Sequence, residues 1–108
     1  MTELNIKTSS PEMAAAIIMV LADMDRAIRK HPQWPTDNVK RAAIVAEESG
    51  ELIREANLLD EGKGSLAVLK NECIQTAAMC FRMLDALSQD DAELVSKYGP
   101  WKGEHENG

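Results

Sequence analysis

The chain has 108 residues, the length of one domain. Its 12 Lys and Arg residues are outnumbered by 18 Asp and Glu residues, and the resulting net charge of −6 argues against direct binding to nucleic acid or to an anionic membrane surface. Apolar residues make up 44% of the chain and aromatic residues only 4%, so the core has to be built from aliphatic side chains. One small core is marginal at this size, and association with further copies is a common remedy.

The first predicted helix opens with strong local signals. Ser10, Pro11 and Glu12 combine an N-cap, a proline at the first helical position and an acid in the first turn. The helix is expected to run to about Lys30. Its apolar stripe, at spacings of three and four residues, consists of Met13, Ile17, Val20, Leu21, Met24, Ala27 and Ile28.

Three further helices are predicted after a proline-bounded break at residues 31–35. The second covers 36–60 with Thr36 as its N-cap, the third covers 65–87, and a short fourth covers 90–98. Gly62 and Gly64 turn the backbone between the second and third helices. We therefore expect a single all-α domain over residues 1–98, followed by a polar C-terminal tail over residues 99–108.

The third helix is apolar around nearly its whole circumference. The residues concerned are Ile74, Ala77, Ala78, Met79, Cys80, Phe81, Met83, Leu84 and Leu87. A helix of this kind has to be buried on every side, and three short neighbours from the same chain can hardly enclose it. The pattern predicts a four-helix bundle that is completed by dimerisation or by higher oligomerisation.

Cysteine usage and the absence of a long apolar segment favour a cytoplasmic protein. Cys73 and Cys80 match neither a CxxC motif nor a disulfide-rich scaffold, so we expect them to be buried thiols in a reducing environment. The longest uncharged stretch near the N-terminus, residues 13–22, is about half the length of a membrane span. The preceding segment has neither a basic region nor a small-residue cleavage site, and no export or membrane association is predicted.

Acidic side chains cluster on one arc of the second helix. Glu47, Glu48, Glu51 and Glu55 share this arc, while the opposite arc is apolar. The simple interpretation is a solvated helix face. However, like charges three and four residues apart repel by a few tenths of a kcal/mol per pair, so a function for the cluster is the alternative.

Glu72 favours the second interpretation because it lies in a largely apolar row of the third helix. A buried carboxylate without a partner is costly. In an antiparallel hairpin that turns around Gly62, residues whose numbers add up to about 124 lie at the same height. Glu51 is then level with Glu72, and Glu48 is level with Gln75.

Three carboxylates and an amide facing each other are typical of a site for a hard divalent cation, and Mg²⁺ fits this donor set best. Mn²⁺ is a possible substitute. The competing interpretation is a neutral or proton-sharing cluster between packed helices.

These residues resemble the EExxE…ExxD signature of the MazG-like all-α nucleoside triphosphate pyrophosphohydrolases. The similarity lies in Glu47-Glu48-Ser-Gly-Glu51 and Glu72-Cys-Ile-Gln75, and it covers roughly residues 36–88. It implies magnesium-dependent hydrolysis of a nucleoside triphosphate or deoxynucleoside triphosphate to the monophosphate and pyrophosphate, in a homodimer or homotetramer.

Site roles follow from the same resemblance. Glu48, Glu51 and Glu72 match metal ligands, and Glu47 matches an acid that orients or deprotonates water. Gln75 stands where the family usually has an aspartate, which removes one negative charge while leaving a carbonyl oxygen that can still coordinate a cation. The alternatives are a related pyrophosphatase acting on phosphoribosyl-ATP, and a catalytically silent helical module that binds nucleotides or another protein.

Residues for substrate binding are harder to choose from the sequence. Trp34 lies in a loop bounded by two prolines and is a candidate for stacking on a base. About 18 Å of helix separates Thr36 from Glu48, which is long for one nucleotide. Trp34 is therefore expected either to pack as a structural residue or to serve a site whose carboxylates belong to another subunit. Lys40 shares the acidic arc of the second helix and is a candidate phosphate contact, with a solvated lysine as the alternative. His31 and His105 are expected to be surface residues rather than catalytic bases.

Overall fold

The computed structural model describes residues 5–99, which form three α-helices and contain no strand. The helices are α1 (Pro11–Lys30), α2 (Asn38–Asp60) and α3 (Leu66–Tyr98). α3 packs against both α1 and α2, whereas within this range no Cα atom of α1 comes within 8 Å of a Cα atom of α2. α3 is therefore the common support of the fold, and a gap separates the other two helices. None of the three helices is long and apolar enough to cross a membrane.

α1 begins as the sequence predicts. The Ser10 hydroxyl accepts a hydrogen bond from the Met13 N–H at 3.1 Å, and Pro11 occupies the first turn. The apolar stripe is confirmed toward the C-terminal end of the helix, where Ala27 is buried and Ile28 is half-buried. Met13, near the beginning of α1, is 48% exposed.

The N-cap of α2 is Asp37, so the prediction of Thr36 is wrong by one residue. The Asp37 carboxylate accepts a hydrogen bond from the Lys40 N–H at 3.0 Å. A carboxylate satisfies this unpaired donor and also interacts favourably with the positive end of the helix dipole, which explains why it replaces the neighbouring hydroxyl.

α3 is one continuous helix of 33 residues, and the prediction of separate third and fourth helices is wrong. The expected break fell between Ser88 and Asp91, where polar residues follow one another without a glycine or proline. The Ser88 hydroxyl donates to the Leu84 carbonyl at 2.8 Å, and Asp90 pairs with Arg41 of α2 at 2.7 Å. These polar side chains find partners without leaving the helix and therefore do not end it.

A tight turn joins α2 to α3, as the two glycines predict. Gly62 has a φ of +76°, which a residue with a side chain rarely adopts. The N–H groups of Lys63 and Gly64 both donate to the Leu58 carbonyl. At Gly64 an added Cβ would lie 2.7 Å from the backbone nitrogen of Leu59, so the turn requires a glycine here for space as well. This turn sets the register of the two helices.

Burial within the described part of one chain is sparse. The buried apolar residues are the small side chains Ala27 and Ala78. Leu84 on α3 is 59% exposed, and Cys73 and Cys80 are exposed as well. The prediction of buried thiols is therefore wrong for the single chain, because both cysteines lie on the part of α3 that α1 and α2 leave uncovered.

α2 turns its acidic arc toward the interior. Glu48, Glu51 and Glu55 are half-buried, whereas Ile53 on the other side of the helix is 59% exposed. Glu47, at the edge of the arc, is exposed. The interpretation of this arc as a solvated face is therefore wrong for its central residues.

Candidate metal centre

Three carboxylates meet where α2 faces α3. One oxygen from each of Glu48, Glu51 and Glu72 lies within 4.8 Å of the others. α2 supplies two of them at positions i and i+3, which face the same side one turn apart. α3 supplies the third from the opposing helix. The proximity of Glu51 to Glu72, predicted from the register of the hairpin, is confirmed.

The carboxylates of this centre lack sufficient partners. Glu48 and Glu72 each have a buried Oε2 atom that accepts no hydrogen bond from residues 5–99. By contrast, the nearby Glu55 has an oxygen 3.4 Å from a guanidinium nitrogen of Arg54. Buried carboxylate oxygens without donors or counter-ions cost free energy. The arrangement is therefore expensive for the protein on its own.

The electrostatics of the centre agree with this burial. Burial raises the pKa of Glu48, and the negative charges of Glu51 and Glu72 raise it further. The pKa of Glu72 is raised first by burial and then by the charge of Glu51. A cation among the three carboxylates would remove this penalty, and oxygen donors are the ligands that Mg²⁺ prefers. The donor set fits a hard divalent cation.

A cleft of about 270 Å³ adjoins the centre and lies between α1 and α2, with α3 as its floor. It is lined by Asp23, Arg26, Ala27, Lys30, His31, Glu48, Gln75, Met79 and Arg82. Gln75 thus lies on the same cleft as Glu48, as the register of the hairpin predicts. The cleft extends the acidic centre toward α1.

Asp23 is an acidic residue of this cleft that the sequence reasoning missed. Its side chain is 13% exposed, and its Oδ2 atom is buried without a hydrogen-bond partner among the described residues. Its charge contributes to the raised pKa of Glu48. The available signal was its position, since Asp23 falls between Val20 and Ala27 in the apolar stripe of α1. This is the same type of signal that singled out Glu72.

Glu47 and Lys40, two of the predicted site residues, lie outside the triad and do not line the cleft. Glu47 is exposed at the edge of the acidic arc, and its charge helps to raise the pKa of Glu48. Lys40 is exposed in the first turn of α2. It lines neither this cleft nor a second one that lies beside Trp34. His31 is exposed, as expected, although it contributes to the cleft next to α1.

Trp34 is held against α3 by Arg82. The guanidinium carbon of Arg82 lies 4.6 Å from the centroid of the indole ring, and the guanidinium donates hydrogen bonds to the carbonyls of His31 and Gln33. These contacts give Trp34 a structural role. The ring also lines a second cleft of about 370 Å³, and its Nε1 atom is buried without an acceptor among residues 5–99.

No family model, curated protein or solved structure matches this chain. The residues of the centre and of the cleft are therefore the guide to its function.

Proposed function

We propose that the protein is a magnesium-dependent nucleoside triphosphate pyrophosphohydrolase of the MazG-like type, converting (d)NTP to (d)NMP and pyrophosphate. The observation that carries this proposal is the convergence of Glu48, Glu51 and Glu72 from two helices, with buried oxygens that lack partners. A fold that places like charges together at such a cost is best explained by a cation that the charges bind.

The residues of the chain act mainly by positioning the cation, the attacking water and the substrate. Glu48, Glu51 and Glu72 hold the cation, and the amide oxygen of Gln75 is a neutral ligand on the same cleft. Glu47, at the exposed edge of the centre, orients water and accepts a proton from it. When bound, Mg²⁺ or Mn²⁺ supplies the positive charge that neutralises the phosphates during in-line attack by water.

Trp34 and Lys40 remain predictions for substrate contact. The prediction for Trp34 is supported by its position on the second cleft, although Arg82 already stacks on its ring. Arg82 lines both clefts and so marks where they adjoin. A nucleotide with its phosphates near Glu48 would extend toward Trp34 past this residue. Lys40 gains no such support, since it lies outside both clefts.

We also propose that the active form is a homodimer or homotetramer. Large apolar side chains, including Phe81 and Leu84 on α3 and Ile53 on α2, are exposed in the single chain. The Cα radius of gyration is 16.9 Å, whereas a compact domain of this length has about 13 Å. Light scattering should show an even oligomer, and a stable monomer would contradict this part of the proposal.

Release of pyrophosphate from a panel of normal and modified nucleoside triphosphates, with phosphoribosyl-ATP included, tests the activity. Wild-type protein should release pyrophosphate only with Mg²⁺ or Mn²⁺, and Glu72→Ala should lose nearly all turnover while remaining folded. Glu61→Gln, which changes an exposed acid at the end of α2, is the matched control. If the wild type is inactive and Gln75→Asp is active, the protein is a silent binding module instead. Unchanged turnover in Glu72→Ala would overturn the ligand assignment.

A further inference from the structure

The cleft between α1 and α2 has exposed cations on one wall and a carboxylate on the other. Glu48 borders it on α2. On α1, Asp23 is paired with Arg26, and Lys30 borders the cleft one turn further on. Arg82 on the floor is 6% exposed and is already engaged with the backbone of the 31–35 loop. Arg26 and Lys30, which are four residues apart on one face of α1, are the exposed cations opposite the carboxylates.

Arg26 and Lys30 differ from Arg29 in their access to the cleft. Arg29 and Lys30 both lie in the last turn of α1, where cations interact favourably with the helix dipole. Arg29 pairs with Asp25 at 3.2 Å and does not line the cleft. In contrast, Arg26 is fixed at the cleft, because its Nε and one terminal nitrogen both donate to Asp23 Oδ1, at 3.0 and 2.8 Å.

A ligand that fits both walls is an anion that carries its own divalent cation. A phosphate chain bound to Mg²⁺ has this chemistry, because the metal faces the carboxylates while the outer phosphate oxygens accept hydrogen bonds from a guanidinium and an ammonium group. The cleft volume of about 270 Å³ is just below the range of roughly 300–1,000 Å³ for sites that hold a drug-sized ligand. It therefore suits a diphosphate group rather than a complete nucleotide.

We propose that Arg26 and Lys30 bind the terminal diphosphate of the substrate, the part that leaves as pyrophosphate. This assignment deepens the proposed function and rests on it for the identity of the substrate. It makes the end of α1 a recognition element for the phosphate chain, independent of the base. Inorganic pyrophosphate with Mg²⁺ should consequently bind in this cleft and inhibit the reaction as a product.

Calorimetric titration of the full-length protein with inorganic pyrophosphate in the presence of Mg²⁺ tests the assignment. Loss of either positively charged side chain should weaken the binding of pyrophosphate about tenfold, as expected for a hydrogen bond between charged groups. We compare wild type, Lys30→Gln and the double variant Arg26→Gln/Lys30→Gln, with Arg29→Gln as the control of equal charge on the same helix. Lys30→Gln is decisive if the double variant does not fold, because Lys30 has no ion-pair partner among residues 5–99.

Binding within twofold of wild type in Lys30→Gln, or an equal loss in Arg29→Gln, would overturn the assignment. Mg²⁺ alone should still raise the melting temperature of Lys30→Gln but not that of Glu72→Gln. This comparison distinguishes loss of the anion site from loss of the metal site. If no nucleotide is hydrolysed but pyrophosphate binding still depends on Lys30, the anion site stands and the proposed function fails. If nucleotides are hydrolysed and Lys30→Gln leaves KM unchanged, the proposed function stands and the anion site fails.

Discussion

The guanidinium of Arg82 lies over the indole ring of Trp34, 4.6 Å from its centroid, and thereby joins the middle of α3 to the loop between α1 and α2. The same group donates to the carbonyls of His31 and Gln33. Because α1 ends and α2 begins at this loop, Arg82 fixes the positions of both walls of the cleft. A buried charge thus aligns two helices whose Cα atoms stay more than 8 Å apart.

Replacing Arg82 with Met should destabilise the protein by about 3 kcal/mol, because two backbone carbonyls lose their charged donor and the ring of Trp34 loses its cover. Urea denaturation measures this loss. Arg82→Lys should recover little of it, since an ammonium lacks the planar fork of donors. Arg54→Met, which changes a side chain that is 70% exposed, is the control. Equal midpoints for Arg82→Met and wild type would refute the anchoring role.

Glu72→Gln should stabilise the metal-free protein and abolish its response to Mg²⁺. The amide removes one charge from the centre and can donate a hydrogen bond to Glu51, a gain of about 1 kcal/mol. Wild type should gain melting temperature as Mg²⁺ is added, because the cation binds the folded form. Thermal denaturation with and without Mg²⁺ measures both effects, with Glu61→Gln as the control. An undiminished response to Mg²⁺ in Glu72→Gln would exclude this residue as a ligand.

The raised pKa values of Glu48 and Glu72 predict how the stability of the metal-free protein depends on pH. The folded protein keeps protons on these groups at pH values where the unfolded chain has released them. These groups therefore lower the free energy of unfolding as the pH rises from the ordinary carboxyl pKa through the raised values. Chemical denaturation across this window, compared with Glu48→Gln/Glu72→Gln, isolates their contribution. The difference between the two proteins should change with pH, and a constant difference would contradict the prediction.

Saturating Mg²⁺ should reverse the contribution of these two carboxylates. Metal binding requires them to be ionised, so the stabilisation by Mg²⁺ should increase as the pH rises through the same window. The shift in melting temperature between metal-bound and metal-free protein at each pH measures this coupling. A shift that is independent of pH would place the bound metal elsewhere.

Two glycine substitutions should have opposite effects on stability. Gly64→Ala places a Cβ 2.7 Å from the backbone nitrogen of Leu59, and such overpacking costs about 1–3 kcal/mol. Gly50→Ala meets nothing within 4 Å on α2 and should stabilise by up to about 1 kcal/mol through helix propensity. Urea midpoints compare the two variants directly. A neutral Gly64→Ala would mean that the turn is looser than described.

The continuity of α3 can be tested with Asp91→Pro. A proline in the interior of a helix costs about 3 kcal/mol, whereas proline is favourable in the first turn of a helix that starts at this point. Asp91→Ala controls for the loss of the carboxylate. Circular dichroism and urea denaturation should show lost helix and a lower midpoint for the proline variant alone. Equal stability of the two variants would favour separate helices.

The sequence predicts the acidic centre well because a single turn fixes the register of two regular helices. Gly62 places Glu51 near Glu72, and simple counting along an antiparallel hairpin is sufficient. Asp23 also lies in an apolar stripe, but what it faces depends on the angle at which α1 crosses α3, and this angle cannot be counted along a hairpin. Likewise, the pairing of Asp90 with Arg41 is a contact between residues 49 positions apart, and local signals near Asp90 suggested a helix start instead.

The separation of α1 from α2 also shapes the dynamics of the molecule. α1 packs against α3 and not against α2, so its opening breaks one helix interface, whereas exposing α3 requires both to open. Backbone amides of α1 should thus exchange their hydrogens with solvent sooner than those in the middle of α3. A ligand that contacts Lys30 on one side and Glu48 on the other would act as a bridge across the gap. Binding of such a ligand should therefore slow the exchange of amide hydrogens at the end of α1.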